Sequence, residues 1–165
     1  MSDASAFKDG NLIIFTLAIS VLGATVVVAQ HRKTPFDDIF DEAGRVNNID
    51  SDLLRAIAKK ESDMRPEIVT DEGNGHHSYG IAQILDTTAK ALGIKDYLTL
   101  LNPINGIHTQ ARILKENKVT LGSRYSVDSL IASYNAGPDL TPWPAQYVAD
   151  VKQHYYLYKI GRQIV

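Results

Sequence analysis

From Asn11 to Gln30 no residue is charged, and the stretch from Leu12 to Ala29 is apolar on almost every position. A run of this kind matches the roughly 18 to 20 residues that cross a bilayer as a helix. A helix in a globular core is seldom apolar on every face, so a membrane helix or signal sequence is favoured over the alternative of a soluble core helix. The run therefore divides the chain: residues 1–33 are expected to form a tail, a transmembrane or signal-anchor helix over about 11–29 and a basic flank, and residues 34–165 a soluble domain. Val27 and Ala29 are small enough for a signal-peptidase site. The length of the run and its weak positive n-region, where Asp3 and Asp9 oppose Lys8, favour retention as an anchor.

Beyond the run, the pattern is helical. Thr34-Pro35-Phe36-Asp37 offers a hydroxyl cap, a proline at the first helical position and an acid in the first turn, predicting a helix that ends near Gly44. A second helix is capped by Asp50 or Ser51, with Leu54, Ile57 and Ala58 on one stripe that Glu61 continues. Pro66 to Ser78, with Gly73, Asn74 and Gly75, reads as a loop or short hairpin forming one lip of a cleft. Asp86 caps a short helix stopping at Gly93. Asn102-Pro103 opens a longer one carrying Ile104, Ile107, Ala111 and Leu114. Leu130, Ile131 and Tyr134 share a helix face closed by Gly137 and Pro138, and a last helix after Pro144 carries Val148, Val151, Tyr155 and Tyr158. Few segments alternate with period two, so the predicted class is mainly α.

Composition narrows the function. Against 19 acidic residues stand 17 basic ones, a formal net charge of -2, without the basic surplus of a nucleic-acid binder. There is no cysteine, hence neither disulfides nor thiolate metal sites. The adjacent pair His76-His77 lies in a glycine-rich loop without further ligands in sequence, so no metal and no cofactor is expected.

Glu61 is the residue with chemistry to offer. An apolar helix face, the negative end of its helix and the neighbouring acid Asp63 all raise the pKa of its carboxyl. Each unit of such a shift favours the protonated form by about 1.4 kcal/mol, so two units make a proton donor that works near neutrality. The plain alternative is a solvated glutamate paired with Lys59, Lys60 or Arg65.

Three segments decide between them: Glu61-Ser62 followed by Pro66, Gly80-Ile81-Ala82-Gln83, and Tyr134-Asn135-Ala136-Gly137-Pro138. With Pro103 and Asn105 in the helix between and Tyr147-Val148 after, they resemble, in order, the signature of the soluble lytic transglycosylase family. The resemblance spans roughly Phe36 to Tyr158. It implies a lysozyme-like helical domain and cleavage of the bond between N-acetylmuramic acid and N-acetylglucosamine in peptidoglycan, with a 1,6-anhydromuramic end as product. It also implies Glu61 as the catalytic acid, with Ser62, Gln83, Tyr134, Asn135 and Tyr147 as substrate-binding or orienting residues. Tyr134 is expected to bond Glu61 or the sugar, and the Gln83 amide to meet sugar hydroxyls or an acetamido group. Two departures stand out: Ala82 replaces the usual methionine, and Asp139 follows Gly137-Pro138 where relatives carry glycine.

An ordinary glycosidase needs two carboxylates, whereas this reaction needs one. Asp71 or Glu72 as the second would make the chain a hydrolytic muramidase of goose-type lysozyme kind. A glycan-binding structural component of an assembly is the other alternative. His31, Arg32 and Lys33 directly after the apolar run point the domain toward a cytoplasm-like side, which conflicts with wall cutting. A bacteriophage virion protein would escape that topology rule, and an enzyme of a secretion or conjugation machine is the competing context. The partners implied are glycan strands, a membrane, and other virion or secretion-machine proteins.

Overall fold

The computed structural model describes residues 34–139 and 141–163. The predicted membrane segment lies outside them, and among the described residues no helix is long and apolar enough to cross a membrane. In chain order the elements are α1 (Asp37–Asn47), α2 (Ser51–Ser62), β1 (Val69–Gly73), β2 (His76–Tyr79), β3 (Ile84–Leu85), α3 (Asp86–Ala91), a 3-10 turn (Tyr97–Leu101), α4 (Pro103–Leu121), a 3-10 turn (Gly122–Arg124), α5 (Val127–Ala136) and α6 (Ala145–Gln163).

The predicted caps mostly act as read. The Asp50 carboxylate accepts from the Asp52 N–H at 3.0 Å, and Asn102 Oδ1 from the Ile104 N–H at 2.9 Å ahead of Pro103. Ser126 and Ser129 close a capping box on α5. Three boundaries differ. The first helix starts at Asp37 rather than at Pro35, because the Asp37 side chain turns back to accept from the N–H and hydroxyl of Thr34. It also runs through Gly44 to Asn47: a Cβ on Gly44 would sit 2.7 Å from the Ile49 carbonyl oxygen, so this glycine serves close packing, and Asn48, left-handed at φ 55°, ends the helix instead. At α3, Asp86 occupies the first turn and accepts from the Thr87 N–H at 2.6 Å, while Leu85 holds the cap position.

Helix α2 runs against α6, α1 packs on α4, and α4 on α5. Leu54, Ala56, Ile57 and Ala58 of α2 are sealed among Phe40, Ile107, Leu114, Ile131 and Val151. α2 also buries a charge. Arg55, 1% exposed, donates to Asp37 at 2.8 Å and Asp41 at 2.9 Å, approaches Asp52 at 3.4 Å, and lies over the Phe40 ring. Removing one partner from such a set costs about 3–5 kcal/mol, because the ion left behind remains desolvated. The network pins α1 to α2 and so fixes the helix that carries Glu61.

The predicted lip is a hairpin of β1 and β2, extended by the two-residue β3 into a three-stranded antiparallel sheet in the order β1-β2-β3. The helical domain with a hairpin lip is therefore present, with the third strand and the turn at Tyr97–Leu101 added.

Candidate active site

Between the hairpin and the helices lies a cavity of about 560 Å³, with walls from the end of α2, the sheet, α3, α4 and the end of α5. Glu61, Gln83, Tyr134 and Asn135 all line it.

Glu61 occupies the last turn of α2, and its carboxyl pKa is raised to about 7. Burial is the main cause, since charge is costly in a desolvated site. A hydrogen bond from Tyr147 and the charge of Lys60 pull the other way, and Glu72 adds to the rise. The flanking acid predicted to help was Asp63, yet Asp63 caps α2 in a left-handed conformation and pairs with Lys59. The acid that does act comes from the hairpin. A carboxyl poised at this value holds its proton for part of the time at neutral pH and can give it up and take it back.

Tyr147, in the first turn of α6, donates its hydroxyl to Glu61 Oε1 at 2.5 Å. Burial first and the nearby carboxylate second push the phenol far above its ordinary range, so it remains a donor. Lys60 donates to Asp150 at 2.7 Å, tying the same turns of α2 and α6 together.

Tyr134 is half-buried, and its hydroxyl donates at 2.7 Å to the Ala82 carbonyl rather than to Glu61. The Glu61 partner is thus Tyr147, an exchange of the roles open to Tyr134 in the sequence. Ser62, 3% exposed, donates to the Ile81 carbonyl at 2.8 Å and accepts the Arg65 N–H at 3.0 Å. These two hydroxyls hold consecutive carbonyls of one segment, which Gln83 finishes at φ 46°, a left-handed value that a non-glycine residue keeps only when its surroundings enforce it. Gln83 itself donates to the Gly80 carbonyl at 2.8 Å and the Ile68 carbonyl at 3.2 Å, and its oxygen accepts from Thr70 at 2.5 Å. Its amide braces the root of the hairpin. Asn135 is exposed at the cavity edge, and Gly137 ends α5 at φ 83°. Asn105 bonds the Thr99 carbonyl at 3.0 Å and does not line the cavity.

Residues not singled out in the sequence complete the walls: Ser78 from β2, Thr88 from α3, and Ile113 with Asn117 from α4. Ile113 and Asn117 stand four apart on one helix face, a spacing that says they share a side but not which cavity it meets. His76 pairs with Asp86 at 3.0 Å, away from its neighbour His77.

The chain is similar to known proteins. The family model for the transglycosylase SLT domain matches residues 38–155. Protein IpgF of Shigella flexneri is 33% identical over 123 residues, covering 72% of this chain and 79% of that protein. Invasion protein IagB of Salmonella typhimurium is 30% identical over 127 residues, covering 74% and 78%. The lytic transglycosylase Slt of Pseudomonas aeruginosa, solved as an inactive mutant, superposes with a TM-score of 0.61 at 19% identity over 79% of this chain, a region that makes up 25% of that larger chain. That likeness fixes the fold, and the family match together with the relatives fixes the lineage: the chain belongs to the transglycosylase SLT family, the lytic transglycosylases of peptidoglycan.

Proposed function

We propose that Glu61 performs both proton transfers in this lytic transglycosylase. Its protonated carboxyl donates to the oxygen linking N-acetylmuramic acid to N-acetylglucosamine; the muramic C6 hydroxyl attacks C1 from within the same sugar, and the Glu61 carboxylate takes the hydroxyl proton. Acid becomes base, and the acid is regenerated in a single turnover. The observation that carries this reading is the desolvated Glu61 carboxyl, with a pKa near 7, on the wall of a cavity large enough for sugar rings. Tyr147 orients the carboxyl, and Ser62, Tyr134 and Gln83 support the floor through the carbonyls of Ile81, Ala82 and Gly80. Asn135 is the member of the set left open at the rim to meet glycan.

Digestion of purified peptidoglycan by the full-length chain beside Glu61→Gln, with sugar ends identified by mass spectrometry, tests the assignment. Anhydro ends from the wild type and none from the variant are expected. Reducing ends would make the chain a hydrolase, and anhydro ends from both proteins would clear Glu61 of the role.

The cellular setting follows from what the enzyme cuts. Residues 34–165 form the catalytic domain, residues 1–33 tether it to a membrane, and the domain opens the wall locally for a trans-envelope machine. The relatives support a bacterial envelope setting over a virion, since they come from Shigella and Salmonella and one is named an invasion protein. Recovery of the protein in phage particles and not in bacterial envelopes would reverse that preference.

A further inference from the structure

The hairpin carries an acid that single-carboxylate chemistry leaves without a task. Thr70 of β1 pairs with Ser78 of β2, so their side chains share one face of the hairpin. That face turns to the cavity: Ser78 lines it, and Thr70 bonds Gln83, which also lines it. Two residues on, the ladder slips. Asp71 pairs with His77 and Gly73 with His76, which leaves Glu72 as the extra residue of a β-bulge, a device that re-aims a side chain. Glu72 lines the same cavity as Glu61.

The charge of Glu72, facing the same cavity, disfavours the charged form of Glu61. Four titratable groups bear on Glu61: Tyr147 from α6, Tyr134 from α5, Lys60 from its own helix and Glu72 from β1. Lys60 is committed to Asp150. Glu72 is the one anion of the four.

We propose that Glu72 is a catalytic carboxylate of this transglycosylase, standing against the muramyl ring and offsetting the positive charge that grows at C1 and the ring oxygen as the glycosidic bond breaks. The inference rests on Glu61 being the acid. When the C1–O bond breaks, its electron pair goes to the leaving oxygen, which receives the Glu61 proton. The C6 oxygen then bonds to C1 and its proton passes to Glu61. Glu72 forms no bond and transfers no proton, so the product remains the anhydro sugar. Its charge acts twice, in the resting enzyme by keeping the proton on Glu61 and in the transition state by stabilising the cation.

The test compares the full-length wild type with Glu72→Gln, Glu72→Asp and Glu61→Gln on purified peptidoglycan, following kcat and KM across pH together with the end groups. Glu72→Gln is expected to lower kcat on the order of tenfold with KM within about twofold, the pattern of an interaction made in the transition state. Its alkaline limb of kcat/KM should move to lower pH, since Glu61 loses an anionic neighbour, and its products should stay anhydro. Glu72→Asp, which keeps the charge, should restore the limb. An unmoved limb with wild-type kcat in Glu72→Gln overturns the proposal, and so does an Asp variant that behaves like the Gln variant. So do reducing ends from wild type that vanish in Glu72→Gln, which would make Glu72 a base for water. Cleavage by Glu61→Gln is a separate outcome, sinking the assignment of Glu61 whatever Glu72 does.

Discussion

Tyr147 and Glu61, 86 positions apart in sequence, meet through a 2.5 Å hydrogen bond between the first turn of α6 and the last turn of α2. The bond stabilises the charged carboxylate and so opposes the burial that raises the Glu61 pKa. Phenol and burial thus set the Glu61 pKa in opposition.

Removing the phenol oxygen should separate the two effects. In Tyr147→Phe the Glu61 pKa rises above about 7, so the alkaline limb of kcat/KM moves to higher pH, opposite to the shift expected for Glu72→Gln. The rate at the optimum should fall roughly tenfold as the carboxyl loses its fixed orientation. A pH–rate profile checks both, and a limb displaced to lower pH would show that the phenol does not act by stabilising the carboxylate.

Glu61 should also leave a mark on stability. Its folded pKa, about 7, exceeds its ordinary value of 4.5, so its contribution is fully present below pH 4.5 and is lost as pH rises through 7. The loss amounts to about 3 kcal/mol from one ionisation. Glu61→Gln cannot ionise. Urea unfolding at both ends of that window should find the variant gaining on the wild type by about 3 kcal/mol with rising pH; a constant difference would mean that the carboxyl is not desolvated in the folded protein.

Gly80 should be intolerant of any side chain. Its φ is +74°, and an added Cβ would lie 2.2 Å from the Leu100 carbonyl oxygen, a backbone atom that cannot step aside. Gly80→Ala is expected to cost at least about 3 kcal/mol and to cut activity further by displacing the Ile81 and Ala82 carbonyls from their clamps. Gly75→Ala, also at positive φ but with nothing within 4 Å of the added carbon, should cost only about 1 kcal/mol. Thermal melts of the two variants decide it, and equal losses would remove the close approach to Leu100 as the cause.

The sequence disclosed the helices well because caps and stripes are local. Asp50, Asn102-Pro103 and Gly137 act within a few residues of themselves, and the Leu54, Ile57, Ala58, Glu61 stripe led directly to the acid. What was hidden depends on how distant elements meet. Nothing near Tyr134 or Tyr147 states which of two phenols reaches Glu61, because that follows from the packing of α6 on α2. Asp63 and Glu72 were both visible as acids, yet a left-handed helix end turns one outward to Lys59 and a bulge turns the other into the cavity. Gln83 looked like a sugar ligand because its amide is versatile, and the same versatility binds it to Gly80, Ile68 and Thr70.

The hairpin tip tells how such an enzyme can change. Gly73, Asn74 and Gly75 all sit at positive φ in open surroundings, and the residues of β1 are exposed along its whole length. Glu61, by contrast, is held where two helices pack, above a buried arginine network. Insertions or exchanges at the tip can therefore remodel what the cleft admits while folding and proton transfer stay as they were, so lineages of this domain can diverge in glycan preference at one edge with the reaction centre unchanged.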